Sequence, residues 1–156
     1  MTESDTYILF ELAGSTYGIR SEQVQRVELL EHVTAVPNTA PSVDGVVFSR
    51  GKVIPALNLR ARFGLPRLPY DRSTRLILLN VQQRVVALIV DAAREFKKLS
   101  PDSIRPIGET LHGVEGNYVE GVATLPDRMI LLLDVAAVLA PEEIELPAGA
   151  PAAPTA

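Results

Sequence analysis

The chain has 156 residues, enough for one domain with a real hydrophobic core, and 47% of them are apolar. It has no cysteine, which excludes a disulfide framework, a thiol nucleophile and a Cys-ligated zinc site. The net charge of −4 argues against a nucleic-acid partner, and no apolar run approaches the roughly 20 residues of a membrane-spanning helix. The opening MTESDTY is polar and acidic and does not read as a signal peptide, so a soluble, cytoplasmic protein is expected, with no direct membrane insertion.

In chain order, Thr6 to Leu12 reads as a strand, Ala13 to Thr16 as a turn and Tyr17-Gly18-Ile19 as the returning strand. Ser21 is placed to cap a short helical turn, with Glu22 favouring its N-terminus. Val24, Val27 and Leu30 recur at spacing three, which fits a helix or a twisted strand. Pro37, Asn38 and Pro41 mark a loop. Val43 to Ser49 and Lys52 to Leu57 read as strands around Arg50-Gly51, and Asn58 as the cap of a short helix that runs through Phe63 and stops at Gly64. GLPRLPYDRS (64–73) is the linker candidate. Thr74 to Val81 and Arg84 to Val90 form a second apolar hairpin around Gln82-Gln83, and Glu95 to Leu99 another strand. Residues 100–118 read as irregular. Val119 to Leu125 and Met129 to Leu133 form the last hairpin, Asp134 caps a helix through Leu139, and the Pro/Ala-rich end is expected to be disordered.

The chain resembles itself. GVVFSRGKVIPALNLRARF (45–63) aligns without gaps on GVATLPDRMILLLDVAAVL (121–139), and YILFELAGSTYGI (7–19) on LILLNVQQRVVAL (76–88). Each half reads as hairpin, connecting strand, hairpin and capped helical turn, about five short strands, which favours closure into a small barrel. The expected organisation is a flexible N-terminus (1–5), a single domain (6–139) and a tail (140–156). The domain divides into a first half (6–63), a linker (64–73) and a second half (74–139), with exchange of strands between lobes left open. Halves of about 70 residues are marginal alone, so they should share a core, and the seam between them is a groove fit for an amphipathic helix.

Charge is unevenly spread. Residues 50–75 hold Arg50, Lys52, Arg60, Arg62, Arg67, Arg72 and Arg75 against Asp71, whereas 109–145 hold eight acidic groups against Arg128. Such blocks suit two solvated surfaces or a basic face that steers an acidic partner. Catalytic chemistry is missing. His32 and His112 are the two histidines; His112 lies near Glu109 and Glu115, but a metal site wants more ligands at defined spacing. GSTYG (14–18) is not a nucleophile elbow, since its serine is misplaced, and no phosphate-binding or dinucleotide fingerprint is present. Asp91, after RVVALIV, reads as a strand-end residue. An aromatic content of 5% supplies no stacking platform for single-stranded nucleic acid. No enzyme, cofactor or metal is expected.

FELAGSTYGIRSEQVQRVE (10–28), PSVDGVVFSRGKVIPALNLRARFG (41–64), QRVVALIVDAAREF (83–96) and GVATLPDRMILLLDVAAVL (121–139) together resemble the CheW-type coupling proteins of bacterial chemosensory systems. The resemblance runs from about Tyr7 to Leu139 and is most specific in GVVFSRGKVIPALNLR. It implies an all-β fold with short helices: two five-stranded SH3-like β-barrel lobes related by a pseudo-twofold, with a groove between them. It implies a non-enzymatic, cytoplasmic adaptor associated with membrane or cytoplasmic chemoreceptor arrays. The helical-hairpin tip of a methyl-accepting chemoreceptor would dock in the groove. The regulatory domain of a CheA-type histidine kinase would bind barrel end to barrel end, and such contacts build array rings, through self-association or with other CheW-like proteins.

Taken alone, Arg50-Gly51 is a hairpin tip with a solvated arginine or a gripping one. The resemblance implies that Arg50 contacts receptor, since it can fork onto a carboxylate or helix-end carbonyls. It implies that Val24 and Val27 line the groove, their alternative being ordinary core. Arg26 stands where many members carry an acidic residue, Arg75 where an apolar residue is frequent and Ala87 where glycine is frequent; all three join the receptor-facing set. Gly45 and Gly51 are assigned to backbone geometry. Asn58 replaces a frequent aspartate and caps equally well. Kinase-facing residues are not separable from ordinary surface. The Arg26 and Arg75 departures leave open a receptor-binding decoy that has lost the kinase, and the basic 50–75 stretch a small-barrel module for a ligand or nucleic acid.

Overall fold

The structure, a computed structural model, describes residues 5–81, 83–106 and 118–139. The expected tail, His112 and most of the 100–118 stretch fall outside these residues. The elements are β1 (Asp5–Leu12), β2 (Ser15–Arg20), β3 (Val24–Leu29), β4 (Val43–Ser49), β5 (Lys52–Asn58), α1 (Leu59–Arg62), β6 (Arg75–Val81), β7 (Arg84–Val90), β8 (Ala92–Leu99), β9 (Ile104–Pro106), β10 (Val119–Thr124), β11 (Met129–Leu133) and α2 (Val135–Val138). They form two sheets, in the orders β8-β1-β2-β11-β10-β9 and β3-β6-β7-β5-β4, each the wall of one SH3-like lobe.

The lobes do not follow the sequence halves. β5 of the first half runs parallel to β7 of the second, pairing Ala56 with Ala87, and β11 of the second runs parallel to β2 of the first, pairing Leu132 with Gly18. The repeat places Ala56 on Leu132 and Gly18 on Ala87, so the two parallel pairings are one contact seen twice. Each half thus lends its second hairpin to the sheet that holds the other half's first. The 64–73 segment joins α1 to β6, within one lobe.

Alternation sorts the apolar side chains into three cores. Leu76, Leu78, Ala87 and Ile89 fill the β3–β7 lobe with Val47, Ile54 and Ala56. Tyr7, Leu9, Leu99, Ala123, Ile130 and Leu132 fill the other. The opposite faces, with Ile77, Leu79, Val86 and Leu88 from one sheet and Phe10, Tyr17, Ile19 and Leu133 from the other, meet in a shared core. Central strands such as β6 and β7 bury both faces, which is why they read as unbroken apolar runs rather than alternating ones.

Local details refine the sequence reading. Val24–Leu29 is a strand, and its spacing of three has a mechanical origin. The β3–β6 register slips between Val24 and Arg26, so one extra residue turns Val24 and Val27 to the same side. Ser21 does not cap; it opens a 3-10 turn, Ser21–Gln23, whose cap position is Arg20 with no side-chain bond. The stretch read as irregular contains a 3-10 turn, Pro101–Ser103, capped by Ser100, and the short strand β9, which gives that lobe a sixth strand. In the other lobe the matching segment is a single bridge, Thr34 to Val46, with both N–H···O distances at 2.8 Å. Asn58 caps α1, its Oδ1 accepting from the Ala61 N–H at 3.2 Å, as Asp134 caps α2 from Ala137 at 3.3 Å.

Candidate functional site

The turn at Arg50-Gly51 is built for hairpin closure. Ser49 pairs with Lys52, and both residues between them have positive φ, 52° at Arg50 and 77° at Gly51, the signature of a type I′ turn. Gly51 tolerates this backbone freely. Arg50 does not; a side chain in the left-handed region costs about 1 kcal/mol or more. Arg50 is exposed and makes no hydrogen bond or ion pair with any described residue. The tip therefore presents an unpaired guanidinium on a two-residue turn, able to grip a carboxylate or a row of carbonyl oxygens.

Its root is tied to β3. The Arg26 Nε donates to Glu28 Oε2 at 3.2 Å, and its Nη2 donates to Ser49 Oγ. The Ser49 hydroxyl lies 3.0 and 3.1 Å from the two Glu28 oxygens and closes the triangle. The remaining nitrogen, Nη1, donates to Gln25 Oε1 at 3.3 Å. Register explains the meeting. Arg26 and Glu28 face Leu78 and Leu76, on the side of β3 opposite to Val27, which pairs with Ile77. Val24 and Val27 lie half-buried at the margin of the shared core, where the lobes meet.

The receptor-facing candidates thus divide. Arg50, Arg26, Val24 and Val27 come together around β3 and the tip. Two others lie apart from this group. Ala87 is 0% exposed, packed inside the β3–β7 lobe against Ala56. Gly18 at the matching place in the other lobe shows why the position stays small: a Cβ there would stand 3.1 Å from Leu132 Cδ2. Arg75 is half-buried and spends its Nη1 on its own loop, donating to the carbonyls of Arg72 at 2.6 Å and Thr74 at 3.1 Å. Gly45 has φ +151°, and a Cβ there would lie 2.0 Å from the Thr34 carbonyl oxygen, so the bulge that opens β4 requires glycine.

Residues the sequence reading missed hold the lobes together. Arg60 on α1 forks onto Asp91, Nε to Oδ1 at 2.8 Å and Nη2 to Oδ2 at 2.6 Å. Asp91 Oδ2 also accepts from the Ala13 N–H at 2.9 Å, and the Asp91 N–H donates to the Glu11 carbonyl at 3.2 Å. One carboxylate thereby ties α1 to the β1–β2 turn across the lobe boundary. The Arg60 hydrogen bond holds its carboxyl below the usual carboxylate range. Asp44 similarly anchors the 64–73 segment: it accepts from Arg67 at 2.9 Å, from the Tyr70 hydroxyl and from Asn58 at 2.8 Å. Burial, with the bond to Asp44, pushes the Tyr70 phenol up. Neither pair had a local signal, because each links residues far apart in sequence. Among the described residues no group of three His, Asp or Glu is placed to hold a metal, and no helix is long and apolar enough to cross a membrane.

The family model for the CheW-like domain matches residues 6–143, nearly the whole chain. The chain belongs to the CheW-like domain family. A chemotaxis protein CheW from Klebsiella aerogenes is 33% identical over 93% of this chain and 87% of its own. One from Bacillus subtilis is 30% identical over 85% of each. The crystal structure of the scaffolding protein TtCheW from Thermoanaerobacter tengcongensis superposes with a TM-score of 0.80 at 28% identity, covering 88% of this chain and 93% of that one. CheW-like proteins are scaffolds and not enzymes.

Proposed function

We propose that this CheW-like protein couples methyl-accepting chemoreceptors to a CheA-type histidine kinase, and that Arg50 is its principal receptor contact. The observation that carries the reading is the setting of Arg50: Arg26, Arg60 and Arg75 are engaged within the chain, and of the described arginines whose side chains have no partner, Arg50, Arg72 and Arg84, Arg50 is the one held on a strained turn at positive φ. Strain retained at an exposed tip is a reason to look for function there. Val24 and Val27, half-buried at the lobe boundary, supply the apolar floor for a helical hairpin. A long, flexible Lys or Arg on such a surface is ordinarily solvated, and the fixed turn removes part of the entropy that gripping a partner costs.

The test is titration of purified protein against two baits from the same genome, a receptor cytoplasmic fragment and the kinase's regulatory domain. Binding to both, with receptor affinity lost in Arg50→Glu and kinase affinity kept, is the expected result. Receptor binding alone makes the protein a decoy or spacer of the array. Binding to neither overturns the reading, and a salt-sensitive shift of labelled nucleic acid would then favour a small-barrel binding module.

A further inference from the structure

We propose that Arg26, Glu28 and Ser49 form a positioning clamp that fixes the Arg50 turn for its partner, and that Arg26 does not itself meet that partner. This rests on the reading of Arg50 as the receptor contact. β3 and β4 are the two ends of their sheet order and share no ladder. Among the described residues, the isolated Thr34–Val46 bridge ties β4 to the segment that follows β3, three residues before Ser49. Nearer the tip, the seam is held by side chains, through the Arg26–Glu28–Ser49 triangle.

Ser49 is the pivot. It is buried, it pairs with Lys52 to close the turn, and it immediately precedes Arg50. Its single hydroxyl meets a cation and an anion from β3, so its orientation is fixed from both sides. All three Arg26 nitrogens are occupied inside the chain, and Glu28 neutralises its charge. The cation presented at this rim is therefore Arg50, followed by Lys52, which is likewise without a partner among the described residues. A turn free to rock would spread the guanidinium over many positions, and binding would have to select one.

The experiment uses the full chain, the receptor cytoplasmic fragment and NMR relaxation of the Arg50 amide. In Ser49→Ala the Arg26–Glu28 pair survives without its link to β4. The order parameter of Arg50 should fall from about 0.85 toward about 0.6 while that of β6 stays rigid. Receptor affinity should drop about tenfold, mainly in the off-rate. The double reversal Arg26→Glu with Glu28→Arg keeps a pair of opposite charges and should bind within about threefold of the parent, whereas Arg26→Glu alone should not. If Ser49→Ala leaves both the Arg50 order parameter and the affinity unchanged, the clamp is wrong. If the double reversal binds as poorly as Arg26→Glu, Arg26 contacts the partner directly and the proposal falls. Glu28→Gln, which keeps the shape and removes the charge, substitutes for Ser49→Ala should that variant not fold, with the same two outcomes. Failure of the parent protein to bind receptor overturns the functional reading separately, since the order parameter still decides whether the clamp holds the turn.

Discussion

The two lobes are one design executed twice with different chemistry at corresponding places. Both interrupt their edge strand at the same point, β3 between Val24 and Arg26, and the β1–β8 pairing where Leu9 faces Glu95 and Phe10 faces Ala93. Both open a hairpin with a bulge that ends on glycine, Gly45 in one and Gly121 in the other. Both close their caps on the same backbone bond, Asn58 N–H to the Ser42 carbonyl at 2.7 Å and Asp134 N–H to the Tyr118 carbonyl at 2.8 Å. The seams differ. In the β3–β7 lobe an arginine after the bulge, Arg26, meets Glu28 and Ser49, and the tip beyond is Arg50-Gly51. In the other lobe the matching residue is Glu95, bonded to Arg128 at 2.6 Å, and the tip is Pro126-Asp127. Backbone breaks recur because the curl of each sheet needs them. Side chains at the seams diverge because any pair of complementary groups closes the gap. A cationic tip on one lobe and an acidic tip on the other give the molecule a polarity that its backbone lacks.

The largest effect should separate the two glycines. Gly45→Ala sets a Cβ 2.0 Å from Thr34 O at φ +151°, whereas in Gly121→Ala the nearest backbone oxygen, that of Arg105, is 3.0 Å away. Urea unfolding should show a loss of about 3 kcal/mol or more for the first and about 1 kcal/mol for the second. Equal losses would break the comparison.

The next contrast lies at the lobe boundary. Continued by three residues, the repeat places Asp91 on Glu22, and it places Arg60 on Ala136, which can make no ion pair, so the latch exists on one side of the pseudo-twofold only. Asp91→Asn should cost about 2 kcal/mol at pH 7, the scale of a hydrogen bond to a charged group. The pH dependence has a definite sign. Arg60 lowers the folded-state pKa of Asp91, so its contribution is present above the unfolded value of about 4 and is lost as pH falls through the folded one. The parent should therefore lose stability on acidification more steeply than Asp91→Asn; parallel profiles would assign the acid loss elsewhere.

Caps sharpen the comparison at a smaller scale. Asp134→Ala should cost about 1 kcal/mol, the usual value for a cap, and Asn58→Ala somewhat more, because the Asn58 amide also donates to Asp44 at 2.8 Å. Thermal melts of the two variants would order them. The smallest effect on stability belongs to the tip: Arg50→Glu should melt within about 0.5 kcal/mol of the parent, since it removes no contact within the chain. A larger loss would mean that Arg50 serves the fold.

Much of the architecture was legible because its signals are local. Hairpins announce themselves through turn residues, caps through Asn58 and Asp134, and the repeat through matched apolar positions. Where reading failed, a non-local fact intervened. Ser21 lost its cap role to a 3-10 turn entered from Arg20, and Ile104–Pro106 became a strand because β10 offers an edge to it. Ala87 looked available and is enclosed, since β7 is covered on both faces.

By itself, then, the chain's order of residues determined the strands, their turns, the twofold character of the domain and the family to which it belongs. Tertiary structure decided which half's strands share a sheet, that Arg26 is neutralised while Arg50 is free, and that Asp91 and Arg60 bind the lobes together. The reason is one of range. Turn chemistry and alternation act over a few residues and are written in sequence, whereas parallel pairing of β5 with β7 and the meeting of β3 with Ser49 depend on where a bulge and a sheet's curl bring distant edges.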